Sequence, residues 1–350
     1  MGENRHINIP IFIPHKGCPH TCVFCDQRKI SGAQSEQSPQ KVKKLLDESI
    51  STIGNVNDVE IAFFGGSFTG IPEPEMLAYL EVARPFLEEK KVRGIRLSTR
   101  PDTINPHILD ILQQYCVTTI ELGVQSLDAE VLKQSQRGHT VEDVEKACEL
   151  IKARDIKLGI QTMLGLPGDN FDKALKTAYG VIRLLPDMVR IYPALVLQGT
   201  PMETLYKTGQ FSPLSVEEAI VWCAAILPLY KEAGITLLRI GLHASETLEG
   251  SVVAGPYHPA FGELVESRIL YEKLTEQLDD LQPFNSGKII IRTRPELVSK
   301  LVGQRKSNMN AIKKKYALND VRIIANLQQG DFLIQKVDEK YCLKRIKGKS

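Results

Sequence analysis

The chain has 350 residues, 43% hydrophobic and 25% charged, with a net charge of +2, the balance of a folded globular protein rather than a disordered or fibrous one. No stretch reaches about 18 consecutive apolar residues, and the start Met-Gly-Glu-Asn-Arg-His lacks the apolar segment of a secretory signal. A membrane partner is therefore not expected, and the expected location is cytoplasmic.

In chain order, apolar runs suited to strands occupy residues 7–13, 59–64, 94–98, 117–121, 156–162 and 188–192, with a weaker one at 235–240. Between them, helical spacing of apolar residues predicts helices over 39–50, 73–87, 105–114, 141–153, 171–184 and 216–233. Asn105-Pro106 and Ser215 read as helix starts. Strand–helix units of about thirty residues repeated in this way imply a parallel sheet with right-handed crossovers. Six or more in succession favour a complete or partial barrel, with its chemistry at the carboxyl ends of the strands.

The composition changes near Gln282-Pro283-Phe284-Asn285-Ser286-Gly287, a turn-rich stretch. The expected domains are thus a barrel with a carboxyl-terminal extension over 1–281 and a small basic α+β module over 287–350. Within that module residues 288–292, 321–325 and 332–336 read as strands, and 295–301 and 308–316 as helices. Residues 287–350 hold 16 Lys/Arg against 5 Asp/Glu, a charge of +11 that leaves −9 for the rest. Such a basic segment suits a polyanionic partner, and equally a merely solvated basic face.

Seven cysteines show no disulfide-like distribution. Cys116, Cys148, Cys223 and Cys342 stand singly and read as small buried apolar groups. The other three form Gly17-Cys18-Pro19-His20-Thr21-Cys22-Val23-Phe24-Cys25, a C-x3-C-x2-C pattern directly after the first strand. Thiolates are the usual ligands of iron–sulfur clusters. Three of them on a four-iron cluster leave one iron open, as catalytic metal sites do. The spacing alone also admits a zinc site completed by His15 or His20, or a redox pair at C-x2-C.

The C-x3-C-x-aromatic-C pattern, with Phe24, resembles the signature of the radical SAM superfamily, named for S-adenosylmethionine (SAM). Phe64-Gly65-Gly66-Ser67-Phe68-Thr69, closing the second strand, resembles that family's glycine-rich motif. Further strand ends carry Leu97-Ser98-Thr99-Arg100-Pro101-Asp102, Gly123-Val124-Gln125-Ser126, Arg137-Gly138-His139-Thr140 and Gly165-Leu166-Pro167-Gly168. This ordered series resembles the Elongator catalytic subunit, with its MiaB- and NifB-like relatives, and is similar to the anaerobic coproporphyrinogen oxidase branch.

The resemblance covers about residues 7–260. It implies a partial (β/α)6 TIM-like barrel, a [4Fe–4S] cluster on Cys18, Cys22 and Cys25, and reductive cleavage of SAM to a 5′-deoxyadenosyl radical. It also implies SAM contacts from Phe24, Gly65, Gly66, Ser67, Ser98, Gln125, Arg137 and Gln161, and an electron donor such as flavodoxin or ferredoxin. Arg137 suits a carboxylate because its planar fork matches two oxygens. Ser98 and Gln161 depart from the oxidase pattern, which has acids at both places.

On the substrate side, residues 240–245 and 252–259 offer His243, Tyr257 and His258. Elongator-like proteins add an acetyltransferase domain, for which this chain ends too soon, so acetyl-group chemistry is not expected. The order around Val302-Gly303-Gln304-Arg305-Lys306 resembles a KH-type module, which clamps a nucleic-acid backbone with a G-x-x-G loop. Here Lys306 stands where the second glycine belongs. The expected substrate is tRNA or another structured RNA. The alternatives are a small molecule or protein substrate, or a non-catalytic haem-chaperone-like binder of cluster and SAM.

Overall fold

The computed structural model describes residues 6–19, 22–31, 37–53 and 58–337. His20, Cys342 and the last basic stretch, 338–350, lie outside the described residues. The chain divides into two compact units, Met1–Trp222 with Ile226–Pro259 and Cys223–Ala225 with Ala260–Ser350.

The first unit is built on strands β1 (Ile7–Phe12), β2 (Val59–Phe64), β3 (Gly94–Thr99), β4 (Val117–Gln125), β5 (Lys157–Leu164), β6 (Met188–Pro193), the short β7 (Val196–Leu197), and β8 (Thr236–Ile240). Seven of them form one parallel sheet in the order β1-β2-β3-β4-β5-β6-β8. Helices Pro39–Ile53, Glu73–Glu88, Pro106–Gln114, Val141–Lys152, Phe171–Arg183 and Val216–Glu232 make the crossovers. Because β1 and β8 remain edges, the architecture is the expected α/β partial barrel, with the weak seventh run as a true strand. β7 pairs separately and antiparallel with β9 (Val252–Ala254).

Buried parallel strands usually read as unbroken apolar runs. In β3, β5 and β6 polar residues interrupt such runs, because the two faces meet different surroundings. In β3, Ile95 and Leu97 are fully buried, while Arg96 and Ser98 take the alternate positions and form polar contacts. The crossover helices begin where local chemistry satisfies their first amides. The Asn105 side chain accepts from Ile108 N–H, and capping boxes stand at Thr140–Asp143 and Ser215–Glu218. Each cap contributes about 1 kcal/mol.

The second unit carries β10 (Lys288–Thr293), parallel to β11 (Asp320–Ala325) and antiparallel to β12 (Phe332–Lys336). Helices Val298–Val302 and Ser307–Lys315 lie between β10 and β11. The helix Phe261–Leu281 belongs here, not to the barrel, so the boundary expected near 281–287 falls at 260. Its residues Leu270, Leu274 and Leu278, one helical turn apart, share a core with Ile289, Ile291, Leu301 and Ile312. The turn-rich stretch at 282–287 is thus an internal loop of this unit.

Between the two short helices the backbone turns left-handed at Gly303 (φ 76), Arg305 (φ 51) and Lys306 (φ 62). Lys306 adopts the conformation that a glycine would take without strain. Among the lone cysteines Cys148 and Cys223 are buried, but Cys116 is exposed, because it occupies a left-handed turn (φ 55) just before β4. No helix among the described residues is long and apolar enough to cross a membrane.

Candidate functional site

The carboxyl ends of the strands border a cavity of about 740 Å³. Pockets for small ligands span about 300–1,000 Å³. Cys18, Cys22, Phe24, Cys25, Gly65, Gly66, Ser98, Gln125, Arg137 and Gln161 all line it. Of the residues expected to hold the cluster and SAM, only Ser67 does not. Ser67 is fully buried, its hydroxyl 3.0 Å from Thr99 Oγ1 and accepting from the Arg100 N–H at 3.2 Å. It ties the end of β2 to the end of β3 and positions the loop.

The cysteine loop is fastened to the glycine-rich turn by main-chain bonds. Ile13 N–H donates to Phe64 O at 2.8 Å, His15 N–H to Gly65 O at 3.0 Å, and Ser67 N–H to Lys16 O at 2.8 Å. The contact is so close that a Cβ on Gly66 would stand 2.4 Å from Lys16 O, and one on Gly17 (φ 71) 2.0 Å from Ser67 O. Bare glycine at 66 is therefore required first by the cysteine loop, and only then by any ligand.

Cys22 is buried and accepts a bond from Arg137 Nη1 at 3.0 Å. The same guanidinium donates to Gly123 O and lies 6.0 Å from the Phe24 ring. Gln125 sits at a register shift between β4 and β5 with φ 68, which turns an ordinary residue into left-handed backbone at the cavity wall. Such backbone costs of the order of 1–3 kcal/mol and is typical of functional positions. Two buried polar atoms here lack partners among the described residues: Arg137 Nε and Gln125 Oε1.

Burial, then the neighbouring Cys22, raises the pKa of Cys18 and pushes that of Cys25 up to about 12. These thiols keep their protons until a metal takes their place. The described His, Cys, Asp and Glu side chains form no ready group of three ligands for a single ion. A four-iron cluster offers its coordination sites at separate corners, so its thiolates stand farther apart than the ligands of one ion. Three thiols, a side-chain-free turn and two orphaned polar atoms around one cavity fit a cluster with a bound amino acid.

Several contributors were not singled out from sequence. Arg100 lines the cavity, held by two 2.9 Å bonds to Asp102. Gln161 Nε2 donates to Ser98 Oγ at 3.1 Å and to Glu121 Oε2 at 3.0 Å, so the two departures from the oxidase pattern contact each other. Glu121 is the acid behind them. Burial pushes its pKa up, but Arg190 and Arg96 pull it below the ordinary carboxylate range. The available signal was a charged residue inside an apolar strand, as in Met188-Val189-Arg190-Ile191-Tyr192. Of the three substrate-side residues expected, His243 lines the cavity and Tyr257 and His258 do not. Tyr257 packs instead against the cluster of Leu195, Leu197 and Leu248.

His139 is 4% exposed, and neither ring nitrogen makes a hydrogen bond of good geometry. Burial, with Arg137 and Arg100 close by, pushes its pKa down to about 4. An unfolded histidine titrates at about 6.5. Below that pH the unfolded chain gains a proton that the fold refuses, so stability is full above about pH 6.5 and falls toward about pH 4. Urea midpoints measured at about pH 7.5 and about pH 5 should therefore drop less in His139→Gln than in the parent. An identical drop in both proteins counts against a neutral His139.

Comparison with known proteins agrees with this geometry. Residues 12–178 match the Radical SAM superfamily and residues 186–270 the radical SAM C-terminal domain. The chain is 32% identical over 231 residues to an uncharacterized protein of Methanocaldococcus jannaschii, covering 62% of this chain and 70% of that one. It is 30% identical to a tRNA uridine(34) acetyltransferase of Methanocaldococcus infernus, over 58% of this chain and 46% of that one. The chain thus spans about half the length of the acetyltransferases that it matches. The solved structure of the archaeal M. infernus Elp3, 25% identical, superposes with a TM-score of 0.61 over 79% of this chain and 64% of that chain. Coproporphyrinogen III oxidase from Escherichia coli shares the fold at a TM-score of 0.50 and 16% identity, over 66% of this chain and 53% of that one. Motifs, fold and sequence relatives agree: the chain belongs to the radical SAM superfamily, whose enzymes bind a [4Fe–4S] cluster and S-adenosylmethionine.

Proposed function

We propose that this radical SAM enzyme holds its cluster on Cys18, Cys22 and Cys25 and modifies tRNA or another structured RNA. The observation that carries the cofactor assignment is the meeting of three thiols, the Gly65–Gly66 turn, Gln125 and Arg137 around one cavity. When bound, the reduced cluster supplies the electron that cleaves SAM's sulfonium and so provides a hydrogen-abstracting radical. The chain's own residues bind and shield. Arg137 offers its fork to SAM's carboxylate, and Gln125 offers an unused acceptor to the amino group. Ser98 and Gln161 present neutral polar groups for ribose hydroxyls. Phe12, Phe24 and Phe64 make the wall apolar and keep water from a reactive species. The electron comes from a separate carrier of the flavodoxin or ferredoxin kind.

Two observations support RNA as the substrate. Relatives over the matched region are named tRNA uridine(34) acetyltransferase and Elongator complex protein 3. The second unit also presents exposed Arg305 and Lys306 on consecutive left-handed residues, followed by Lys313 and Lys314 on the next helix. No carboxylate among the described residues pairs with these four, whereas Lys315 is held by Asp279 at 3.1 Å.

The test is tRNA titration of the reconstituted full chain across a range of salt, with Arg305, Lys306, Lys313 and Lys314 all changed to Gln in a variant. That variant should bind more weakly, with a log–log salt slope shallower by about 3 to 4. Reaction with SAM and dithionite in the presence of tRNA should yield a new nucleoside by mass spectrometry. Unchanged affinity and slope, with no altered nucleoside, refutes the RNA substrate. Absence of any 5′-deoxyadenosine favours the non-catalytic alternative.

A further inference from the structure

One wall of the cavity is formed by Arg190 and Tyr192 of β6, Arg239 of β8, and His243. Behind it runs a chain of buried charges from four strands. Arg96 Nε donates to Glu60 Oε2 at 3.0 Å and Arg96 Nη1 to Glu121 Oε1 at 3.0 Å. Glu121 in turn accepts from Arg190 Nε at 2.6 Å and Nη2 at 3.2 Å. Two carboxylates face two guanidiniums, so this chain is neutral. At its outer end Arg93 joins Asp58 at 2.8 Å and Glu60 at 3.2 Å, which adds one cation and one carboxylate and keeps the balance.

Arg239 breaks the balance. It stands directly in register with Arg190 across the β6–β8 pairing. It makes no ion pair and no hydrogen bond among the described residues, and its Nε is buried without a partner. The pairing shifts register between Val189 and Arg190, an irregularity of the kind that re-aims side chains beside active sites. The sequence Thr236-Leu237-Leu238-Arg239-Ile240 is otherwise nearly apolar, so a structural edge strand had no need of this residue. The β6–β8 wall, with the network behind it, therefore carries one cation more than its carboxylates answer.

We propose that Arg239 binds an oxyanion of the substrate, a carboxylate or a phosphate, on the β6–β8 wall of the cavity. This deepens the function proposed above and rests on its reading of the cavity as the chamber shared by cofactor and substrate. The guanidinium fork matches two oxygens of either group. Tyr192, whose hydroxyl interacts with Arg190, closes the same wall. The subsite fixes one end of the substrate, and so determines which carbon faces the radical.

The test is isothermal titration of the full chain, prepared both without cluster and after reconstitution. The probes are inorganic phosphate, succinate and a tRNA anticodon stem–loop. The parent should bind at least one of them. Arg239→Gln should weaken that probe by about tenfold to a hundredfold, the size of a lost charge-assisted bond. Arg239→Lys, which keeps the charge but not the fork, should lose less, and Lys146→Gln on an exposed helix face should lose nothing. Circular dichroism of each variant excludes unfolding as the cause. Weakened succinate or phosphate assigns a small anionic substrate, and a weakened stem–loop assigns a nucleic-acid phosphate. If the parent binds no probe, or if Arg239→Gln binds all of them as the parent does, the subsite is refuted. The cluster-free arm separates this from the cofactor reading. Arg239-dependent binding without SAM cleavage refutes only the latter, and SAM cleavage without Arg239-dependent binding refutes only the former.

Discussion

Cys22→Ala should leave a folded protein that retains almost no iron and forms no 5′-deoxyadenosine from SAM and dithionite. The cysteine is buried at the cavity wall and is the thiol that Arg137 touches, at 3.0 Å. Removing it leaves two thiolates, too few to hold a four-iron cluster that normally takes four. The fold should survive, because only one sulfur is removed and the loop stays fastened by Ile13, His15 and Ser67 main-chain bonds. Iron and sulfide content, the visible absorption of the anoxic protein and the nucleoside yield measure the effect. Cys148→Ala is the control, because Cys148 is buried away from the cavity wall and should keep both iron and activity. An unchanged nucleoside yield in Cys22→Ala would end the assignment of the cluster to this loop.

The second large effect is on stability. Glu121→Gln should cost about 3–5 kcal/mol, because it breaks a buried ion network by removing one partner only. Glu121 is 1% exposed and is the acid shared by Arg96 and Arg190. Without its charge those two guanidiniums remain buried with one carboxylate, Glu60, on the far side of Arg96. The neutral amide still fills the space, so the loss reports charge and not cavity. Denaturant unfolding of the single variant and of Glu121→Gln with Arg190→Gln measures it. The double variant should recover part of the loss, since it no longer strands Arg190. A single-variant loss below about 1 kcal/mol would show that solvent reaches this network.

Much of the first unit was legible because the information is local. A run such as Val59-Glu60-Ile61-Ala62-Phe63-Phe64 reads as a strand without knowledge of its neighbours, and it is β2 with the same ends. Ser215 and Asn105 announce their helices because a side chain caps an amide only three residues on. The cysteines were legible for the same reason, as three ligands carried by one short loop.

Features that join distant segments were not legible. Arg96, Glu121 and Arg190 meet across sequence separations of 25 and 69 residues, and only the parallel pairing brings them together. Ser67 sits within a motif that otherwise lines the cavity, yet its side chain turns to Thr99. Tyr257 and His258 looked suited to a substrate wall, but the chain carries them past it. The helix Phe261–Leu281 shows its apolar stripe in sequence, while the sheet that buries it follows only later, so its unit could not be read.

The amino-acid sequence by itself therefore determined the strand–helix alternation, the thiol loop and the glycine turn beside it, since each depends on contacts within a few residues. Only the tertiary structure decided where the second unit begins, which polar residues face the chamber, and that Arg239 stands there without a carboxylate. Those outcomes depend on sheet register and strand order, which set the distances between charges that lie far apart along the chain.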